Sequence, residues 1–325
     1  MSAPLLSVRD LKISFHTPNG IVQAVRGVEL DVMPGEMVGV VGESGSGKSV
    51  TFLGMLGLLP STARMSGSAT VNGVQMVNAS NKTMRSIRGR QVAMIFQDPL
   101  SALNPVYRIG DQIVEMIRTH QHVSKAEAHA HAVELLNIVG IPQPATRAKQ
   151  YPHEFSGGMR QRAMIAMALA NDPDVLIADE PTTALDVTVQ AQILEVFQKI
   201  QREMNKAVVM ITHDLGVIAR VADRVQVMYA GRVVERSTID HLFAAPTHPY
   251  TEGLLRSLPR VGQERLLPIL GSPPNMLEPP SGCGFAARCE HAQPKCSESL
   301  PELVSFGSSS TACIRATELY SEVAK

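Results

Sequence analysis

Residues 42–49 have the residue types and the spacing of a loop that binds phosphate groups. They fit the pattern G-x-x-x-x-G-K-[ST] at every fixed position, and an apolar, strand-like run at 37–41 precedes them. In such a loop the glycines let backbone N–H groups surround a phosphate, the lysine adds a mobile positive charge, and the final hydroxyl can coordinate Mg²⁺ between two phosphates. A Gly/Ser-rich turn is the alternative, but it requires a strand, a turn and a helix to coincide by accident. The sequence therefore predicts a nucleotide site formed by Gly42, Glu43, Ser44, Gly45, Ser46, Gly47, Lys48, Ser49 and Val50.

Two carboxylates, Asp179 and Glu180, directly follow another apolar run at 175–178. Open α/β sheets bind their ligands at the carboxyl ends of the strands, so both side chains are expected to face the same nucleotide. We expect Asp179 to hold Mg²⁺, directly or through water, and Glu180 to orient and polarise the attacking water. A pair of carboxylates after a strand can equally cap a helix. The neighbouring motifs decide between these roles.

Two further segments carry groups suited to phosphate. Ser156, Gly157 and Gly158 precede a predicted helix at 159–170, and a helix start of this kind attracts anions. His213 follows an apolar run at 208–211. A lone histidine after a strand is more often structural, but its spacing from the two carboxylates favours a place in the site. One chain thus carries two helix starts that can face phosphate.

A sheet is needed to position these segments. Four short apolar runs, at 37–41, 92–96, 175–178 and 208–211, suit strands buried on both faces, and helical patterns lie between them. We therefore predict an α/β fold with a mostly parallel sheet covered by helices.

The chain is expected to divide near residue 236. Before that point, residues 5–35 read as an antiparallel hairpin and residues about 98–170 as a helical subdomain, in which Ser124 and Glu127 form a capping box. After it, frequent prolines break up any long element. We predict a nucleotide-binding domain at 1–236 and a small, irregular region at 237–325 that contains all four cysteines.

Composition argues against several classes of protein. Lys plus Arg and Asp plus Glu are both 30, there is no Trp, and aromatic residues make up 4%, so we expect no nucleic-acid partner. No apolar run approaches the roughly 20 residues of a membrane helix, and the first ten residues lack the features of a signal peptide. The first 280 residues lack cysteine, which suits a cytosolic enzyme.

Taken together, residues 5–236 resemble the ATP-binding-cassette ATPases. The resemblance rests on the loop at 42–49, the segment at 156–161, the carboxylates at 179–180 and His213. It implies that the 156–161 signature of one subunit completes the ATP site built on the phosphate loop of another. The signature has Phe155 and Met159 where Leu and Gln are commonest, but it keeps the serine and both glycines.

The resemblance also assigns roles to matching positions. Phe15 is expected to stack on adenine, with His16 as a one-residue alternative, and Gln97 to sense Mg²⁺ and the γ-phosphate and to link them to a membrane partner. Hydrolysis is expected to depend on Glu180, His213, Lys48 and Gln97, and magnesium binding on Ser49, Gln97 and Asp179. The residues expected to face the opposite subunit are Ser156, Gly157, Gly158, Met159, Gln161 and, in a separate loop, Asp186.

All the cysteines, Cys283, Cys289, Cys296 and Cys313, are clustered near the end of the chain. Their spacing misses the C-x₂₋₄-C pairs of zinc ribbons, and disulfides are disfavoured in the cytosol. Four thiolates can hold an iron–sulfur cluster in loops of irregular spacing. Zinc and unliganded, reduced thiols remain open alternatives.

Segments 97–105, 248–251 and 273–275 resemble the ATPase subunits of bacterial dipeptide and oligopeptide importers, some of which hold a [4Fe–4S] cluster on this cysteine set. The resemblance implies ATP, Mg²⁺ and such a cluster as cofactors, and a peripheral location on the cytoplasmic face of the inner membrane. It further implies a second, non-identical ATPase, two membrane permease subunits and an external peptide-binding protein as partners. The alternatives are a soluble ATPase acting on ribosomes or DNA, an importer of nickel, heme precursors or another peptide-like cargo such as muropeptides, and a P-loop kinase, in which the 156–161 segment has no purpose.

Overall fold

The computed structural model describes residues 3–258 and 268–320. Its strands are β1 (Leu6–Thr17), β2 (Gly20–Val32), β3 (Met37–Val41), β4 (Ala63–Val71), β5 (Val74–Gln75), β6 (Val92–Ile95), β7 (Val175–Asp179), β8 (Ala207–Thr212), β9 (Arg224–Tyr229), β10 (Arg232–Thr238), β11 (Val304–Phe306) and β12 (Ser309–Thr311). Its α-helices are α1 (Lys48–Met55), α2 (Asn81–Ile87), α3 (Pro99–Ala102), α4 (Ile109–His120), α5 (Lys125–Ile138), α6 (Pro144–Arg147), α7 (Gly157–Leu169), α8 (Val187–Glu203), α9 (Leu215–Val221), α10 (Ile239–Ala244), α11 (Pro249–Arg256) and α12 (Ala316–Leu319).

The four apolar runs of the sequence form the middle of one large sheet. Its strand order is β11-β12-β10-β9-β3-β8-β7-β6, and β9, β3, β8, β7 and β6 run parallel to one another. Every residue of β3, β7 and β8 is buried, because helices or a second sheet cover both faces. The predicted α/β fold is confirmed.

Alternate residues of these strands enter two separate cores, as the two-residue period of a strand requires. Met37 and Val41 of β3 face a core shared with helices α4, α5, α7 and α8. Val38 and Val40 face the opposite core, which is closed by α1 and by a second, antiparallel sheet of order β2-β1-β4-β5. Within that sheet β1 and β2 form the predicted hairpin. The large sheet is therefore fixed from both sides.

The helical subdomain begins with α3 and ends with α7. Helix α5 starts at the predicted capping box: Ser124 Oγ accepts from the Glu127 N–H at 3.2 Å, and the Glu127 carboxylate accepts from the Ser124 N–H at 2.9 Å. Helices α4, α5 and α7 pack on one another through buried aliphatic residues. Helix α7 thereby leads from this subdomain to β7, the strand that carries Asp179.

The C-terminal region extends the large sheet. Strand β12 pairs antiparallel with β10, and β11 pairs with β12. Arg236, at the expected domain boundary, lies inside β10 and pairs with Ser310. Residues after 236 thus belong to the same sheet as the strands that carry the nucleotide motifs, in which β12 lies next to β10 and β10 next to β9.

Candidate nucleotide site

The loop at 42–49 joins the end of β3 to the start of α1, as its pattern predicts. Gly42 and Gly47 have positive φ angles, of 155° and 96°. A Cβ at Gly42 would lie 2.2 Å from the Met228 carbonyl oxygen, and one at Gly47 would lie 2.6 Å from that of Ala24. Neither position can accept a side chain, because backbone atoms pack directly against it. The glycines thus allow the loop to fold closely at the amino end of α1.

Lys48 is the first residue of α1 and is buried. Its ammonium group donates to the carbonyl oxygens of Gly42 at 2.7 Å and Glu43 at 3.0 Å, so the side chain folds back onto the first residues of the loop. Burial lowers the pKa of Lys48, while the carboxylates of Glu180, Asp179 and Glu43 oppose that shift. The positive charge of Lys48 therefore lies close to three carboxylates.

Two oxygen donors suited to magnesium meet at the adjoining strand ends. Ser49 Oγ donates to Asp179 Oδ1 at 2.8 Å, across the 130 positions that separate them in sequence. Asp179 is buried, and burial raises its pKa, although the Ser49 hydrogen bond acts in the opposite direction. Carboxylate and hydroxyl oxygens are the hard ligands that Mg²⁺ prefers. The residues present therefore fit the ion that the sequence predicts.

Glu180 forms a cluster with two predicted site residues, Gln97 and His213, and with a third residue, Thr183, that sequence reasoning did not identify. Its Oε2 accepts from Gln97 Nε2 at 2.9 Å and from Thr183 Oγ1 at 2.9 Å, and its Oε1 lies 3.1 Å from His213 Nδ1. Burial raises the pKa of Glu180, but the hydrogen bonds from His213 and Thr183 outweigh it, so the pKa lies below its ordinary value. The side chain is thus an ionised acceptor at neutral pH.

The backbone at Glu180 is strained as well. Its φ angle is 47°, in the left-handed region that non-glycine residues seldom adopt. Strain of this kind persists only where the surroundings fix the residue, and it concentrates at functional sites. The turn after β7 therefore aims the Glu180 carboxylate at Gln97 and His213.

The phosphate loop and the Glu180 cluster line one cavity of about 840 Å³, whereas Asp179 is buried and does not line it. The walls of this cavity include the whole loop from Gly42 to Val50 together with Gln97, Glu180, Thr183 and His213. The C-terminal region contributes Leu254, Ser257, Pro268 and Ile269, which sequence reasoning did not identify. These four residues belong to none of the nucleotide-binding motifs, so the motifs alone did not identify them.

Phe15 is not among the lining residues. It lies on β1, partly buried against the core of the antiparallel sheet, and its neighbour His16 is exposed. The expected contact of either side chain with adenine stays a prediction.

The signature residues lie apart from this cavity. Ser156 Oγ accepts from the Met159 N–H at 3.3 Å and caps α7, while Gly157 is exposed at the first position of that helix. A Cβ at Gly158 would come within 2.5 Å of Val189 on α8, so this glycine is needed for helix packing. Gln161 is buried, and its Nε2 has no hydrogen-bond partner within the described chain. No signature residue lines the cavity around Lys48.

The loop expected to reach the opposite subunit lies beside the signature. Asp186 caps α8 by accepting from the Val189 N–H at 2.9 Å, and Leu185 lies 3.7 Å from the Cβ position of Gly157. The phosphate loop and the signature therefore lie at two separate places in the described chain, and the completion of one site by the signature of another subunit stays a prediction.

All four cysteine side chains line one cavity of about 20 Å³ near His248 and His291. Burial raises the pKa of Cys283 and Cys289, and that of Cys313 to about 11, so these thiols stay protonated at neutral pH. Across residues 3–258 and 268–320, no group of three or more His, Cys, Asp or Glu side chains is arranged to hold a metal ion. The cavity has room for about one water molecule. The predicted iron–sulfur cluster on Cys283, Cys289, Cys296 and Cys313 is therefore not supported by this arrangement.

None of the helices in the described ranges is long and apolar enough to cross a membrane.

The fold and the cavity together define a P-loop ATPase of the ATP-binding-cassette type. The family model described as ABC transporter matches residues 25–183, and that described as oligopeptide/dipeptide transporter, C-terminal region, matches residues 234–296. The chain belongs to the ABC transporter family, among its oligopeptide and dipeptide transport ATP-binding proteins.

Relatives and solved structures agree with this placement. The chain is 53% identical to the dipeptide transport ATP-binding protein DppD of Bacillus subtilis, over 91% of this chain and 90% of that protein. It is 50% identical to the oligopeptide transport ATP-binding protein OppD of Salmonella typhimurium, over 91% and 89%. A dimeric ATP-binding cassette in a post-hydrolysis state, bound to ADP and Pi, matches with a TM-score of 0.65 and 26% identity, over 72% of this chain and 98% of that one.

Proposed function

We propose that this chain hydrolyses ATP to drive the import of dipeptides or oligopeptides through a membrane transporter. The observation that supports hydrolysis most directly is the Glu180 cluster, in which a single ionised carboxylate contacts Gln97, Thr183 and His213 beside the phosphate loop. Peptide cargo is supported by the relatives, whose names specify dipeptide and oligopeptide transport.

In this mechanism the phosphate loop and Lys48 bind the β- and γ-phosphates, and Glu180 orients and polarises the attacking water. His213 contacts the γ-phosphate. Ser49, Asp179 and Gln97 would hold Mg²⁺, which when bound neutralises charge that develops on the phosphates. The signature of a partner, at the positions of Ser156, Gly157, Gly158, Met159 and Gln161, covers the other side of the ATP, and Asp186 contacts that partner. Catalysis rests on positioning and charge stabilisation.

We propose that the chain works at the cytoplasmic face of the membrane, beside a second, non-identical ATPase and two permease subunits. An external peptide-binding protein would deliver peptides to these permeases. The division into a nucleotide-binding domain before about 236 and a C-terminal region after it belongs to the same proposal. A soluble ATPase acting on ribosomes or DNA would share the nucleotide site but not the permeases. An importer of nickel or heme precursors would share the nucleotide site and have permeases, but would not carry peptides.

An apolar groove next to Gln97 is the proposed contact with the permeases. The groove measures about 610 Å³ and is lined by Leu58, Phe96 and several methionines, which suit an adaptable docking surface. Phe96 and Leu58 expose 39% and 43% of their surface. Because Phe96 directly precedes Gln97, an element seated in the groove would be coupled to Glu180 through the Gln97 hydrogen bond.

Leu58→Asp tests this contact. A charge in the groove should abolish co-purification with co-expressed permease subunits, while the ATPase rate of the isolated chain stays within about twofold, because Leu58 does not line the nucleotide cavity. Ile21→Asp is the matched control, since Ile21 is similarly exposed at 49% but lies on β2. Retention of the permeases by Leu58→Asp would place the contact elsewhere.

The four cysteines are the subject of a separate proposal, that they hold a [4Fe–4S] cluster. It rests on the donor set, because four thiolates can hold such a cluster and all four cysteines line one cavity, although no group among the described residues is arranged to hold a metal ion. The cavity of about 20 Å³ would have to widen through movement of the surrounding loops. Zinc and reduced thiols remain the alternatives.

Anaerobic purification separates the three cases. A cluster predicts a brown protein with about four iron and four sulfide ions per chain, and loss of the visible absorbance in Cys289→Ser. One zinc per chain or no metal, with four titratable thiols, would exclude the cluster.

A further inference from the structure

Arg288 joins the cysteine region to the phosphate loop. It ends the 3₁₀ turn Ala286–Arg288, directly before Cys289, and only 5% of its side chain is exposed. Its guanidinium donates to both carboxylate oxygens of Glu43, from Nη1 at 2.7 Å and from Nη2 at 3.0 Å. Such a two-bond pair fixes direction as well as distance. The second residue of the phosphate loop is therefore tied to a segment 245 positions away in sequence.

The backbone of Glu43 has its own anchor in the C-terminal region. The Glu43 N–H donates to the hydroxyl of Tyr250 at 2.8 Å, and Tyr250 is fully buried in α11. Tyr250 packs on Tyr229, whose hydroxyl accepts from Arg288 at 3.0 Å. Glu43 is thus held at both backbone and side chain by groups that also contact one another.

Arg288 also fixes a wall of the nucleotide cavity. Its Nε donates to the Leu270 carbonyl at 3.0 Å, and its Nη2 to the Ile269 carbonyl at 3.3 Å. Ile269 and Pro268 line the same cavity as Lys48. A single guanidinium, with five donors in a rigid fork, therefore connects the phosphate loop to the opposite wall.

The charge of Glu43 makes this link relevant to ATP. A carboxylate in a phosphate loop repels the triphosphate that the loop must accept, unless a cation neutralises it. Arg288 is the side chain that forms an ion pair with Glu43 among the described residues. Removal of Arg288 would leave a partly buried, unpaired negative charge at the edge of the site.

We propose that Arg288 is a positioning residue for ATP binding, which neutralises Glu43 and holds the phosphate loop in its binding conformation before the nucleotide arrives. The proposal rests on the nucleotide site described above. If the loop spends only part of its time in the competent conformation, the apparent dissociation constant rises in inverse proportion to that fraction. Bound phosphates hold the loop themselves, so the effect falls on ATP affinity and KM and spares kcat.

Arg288→Gln in the full-length chain tests the proposal. We expect the Kd of a fluorescent ATP analogue and the KM for ATP to rise roughly tenfold, with kcat within about twofold. Arg288→Lys keeps the positive charge but not the two-bond geometry, so its Kd and KM should lie between those of the wild-type protein and those of Arg288→Gln. Arg256→Gln is the matched control, because Arg256 is 47% exposed and pairs with Glu252 in the same region without lining the cavity.

Glu43→Gln, alone and combined with Arg288→Gln, separates positioning from simple structural support. Once Arg288 is absent, removal of the unpaired carboxylate should restore part of the lost ATP affinity, so the double variant should bind ATP more tightly than Arg288→Gln. A lowered unfolding temperature with unchanged Kd and KM, or a double variant no better than Arg288→Gln, would overturn the proposal. If Arg288→Gln does not fold, the Kd of Arg288→Lys decides, with a roughly threefold rise expected and no change as the contrary result. Failure of the nucleotide site itself would be seen separately, as wild-type protein that does not bind the analogue.

Discussion

Glu180→Gln is expected to lower ATP turnover by roughly 10²- to 10⁴-fold, the usual contribution of a positioned general base, while ATP affinity changes little. The substitution keeps the shape of the side chain, so Gln97 and Thr183 still have an oxygen to donate to. It removes the negative charge that polarises water. Steady-state phosphate release and equilibrium binding of an ATP analogue measure the two effects separately.

The direction of the Glu180 pKa supports this expectation. Hydrogen bonds from His213 and Thr183 outweigh the effect of burial and keep the carboxyl ionised at neutral pH, which is the form that accepts a proton. The phosphate loop and Lys48 are unchanged in Glu180→Gln, so the energy of binding is retained. We propose that ATP closes the paired subunits and that hydrolysis reopens them, so the variant should accumulate as an ATP-bound closed dimer.

Glu195→Gln provides the control for that experiment. Glu195 is exposed on α8 and does not line the cavity, so the same chemical change there should leave turnover unaltered. Normal turnover by Glu180→Gln, with the control also normal, would remove Glu180 from the catalytic role.

Residues that lie near strand ends could be placed from sequence because parallel strands bring their carboxyl ends to one edge. The loop at 42–49, Glu180 and His213 follow strands β3, β7 and β8, which lie side by side in the sheet, and Asp179 is the last residue of β7. The local motifs and this one rule of sheet topology were enough to predict that Ser49 and Asp179 lie close together. The predicted α/β layers depend on the same four apolar runs.

Contacts from the C-terminal region could not be predicted in this way. Tyr250 and Arg288 contact Glu43 across 207 and 245 positions of sequence, and each belongs to a short element of the C-terminal region. The orientation of Phe15 could not be predicted either, because the pairing of β1 with β2 shifts in register between Ile13 and Ser14. Such an irregularity changes which face of a sheet the following residues occupy. Side-chain contacts that depend on packing of distant segments leave no local signal.

Gly157→Asp is expected to have opposite effects on folding and on function. Gly157 is exposed at the first position of α7, has an ordinary φ, and its Cβ would meet only Leu185 at 3.7 Å, so a side chain fits. An acidic residue at this position interacts favourably with the helix dipole, and replacement of glycine favours the helix, so the free energy of unfolding should not fall. The new charge would, however, face the γ-phosphate of an ATP bound to the partner subunit.

Like charges brought together in an interface cost several kcal/mol, so Gly157→Asp should reduce hydrolysis roughly 100-fold or more. ATP binding to the chain's own loop should persist, since Gly157 does not line that cavity. The sharpest measurement uses the isolated chain, in which a second copy takes the place of the non-identical ATPase, and combines the substitution with Glu180→Gln. The Glu180→Gln variant should form the closed dimer with ATP, and the double variant should bind ATP as a monomer. Size-exclusion chromatography with light scattering measures the molecular mass in solution, and a fluorescent ATP analogue measures nucleotide binding.

Ser86→Asp is the control for the added charge, because Ser86 is exposed on α2 and outside the cavity. Gly158→Ala provides a second comparison, because its Cβ would come within 2.5 Å of Val189 and should destabilise the α7–α8 contact, with function lost through folding. A shared ATP site requires that Gly157→Asp lose the dimer without losing stability. If Gly157→Asp in the Glu180→Gln background still closes on ATP, the signature of this chain does not face a partner's nucleotide, and the cavity around Lys48 must act as a complete site.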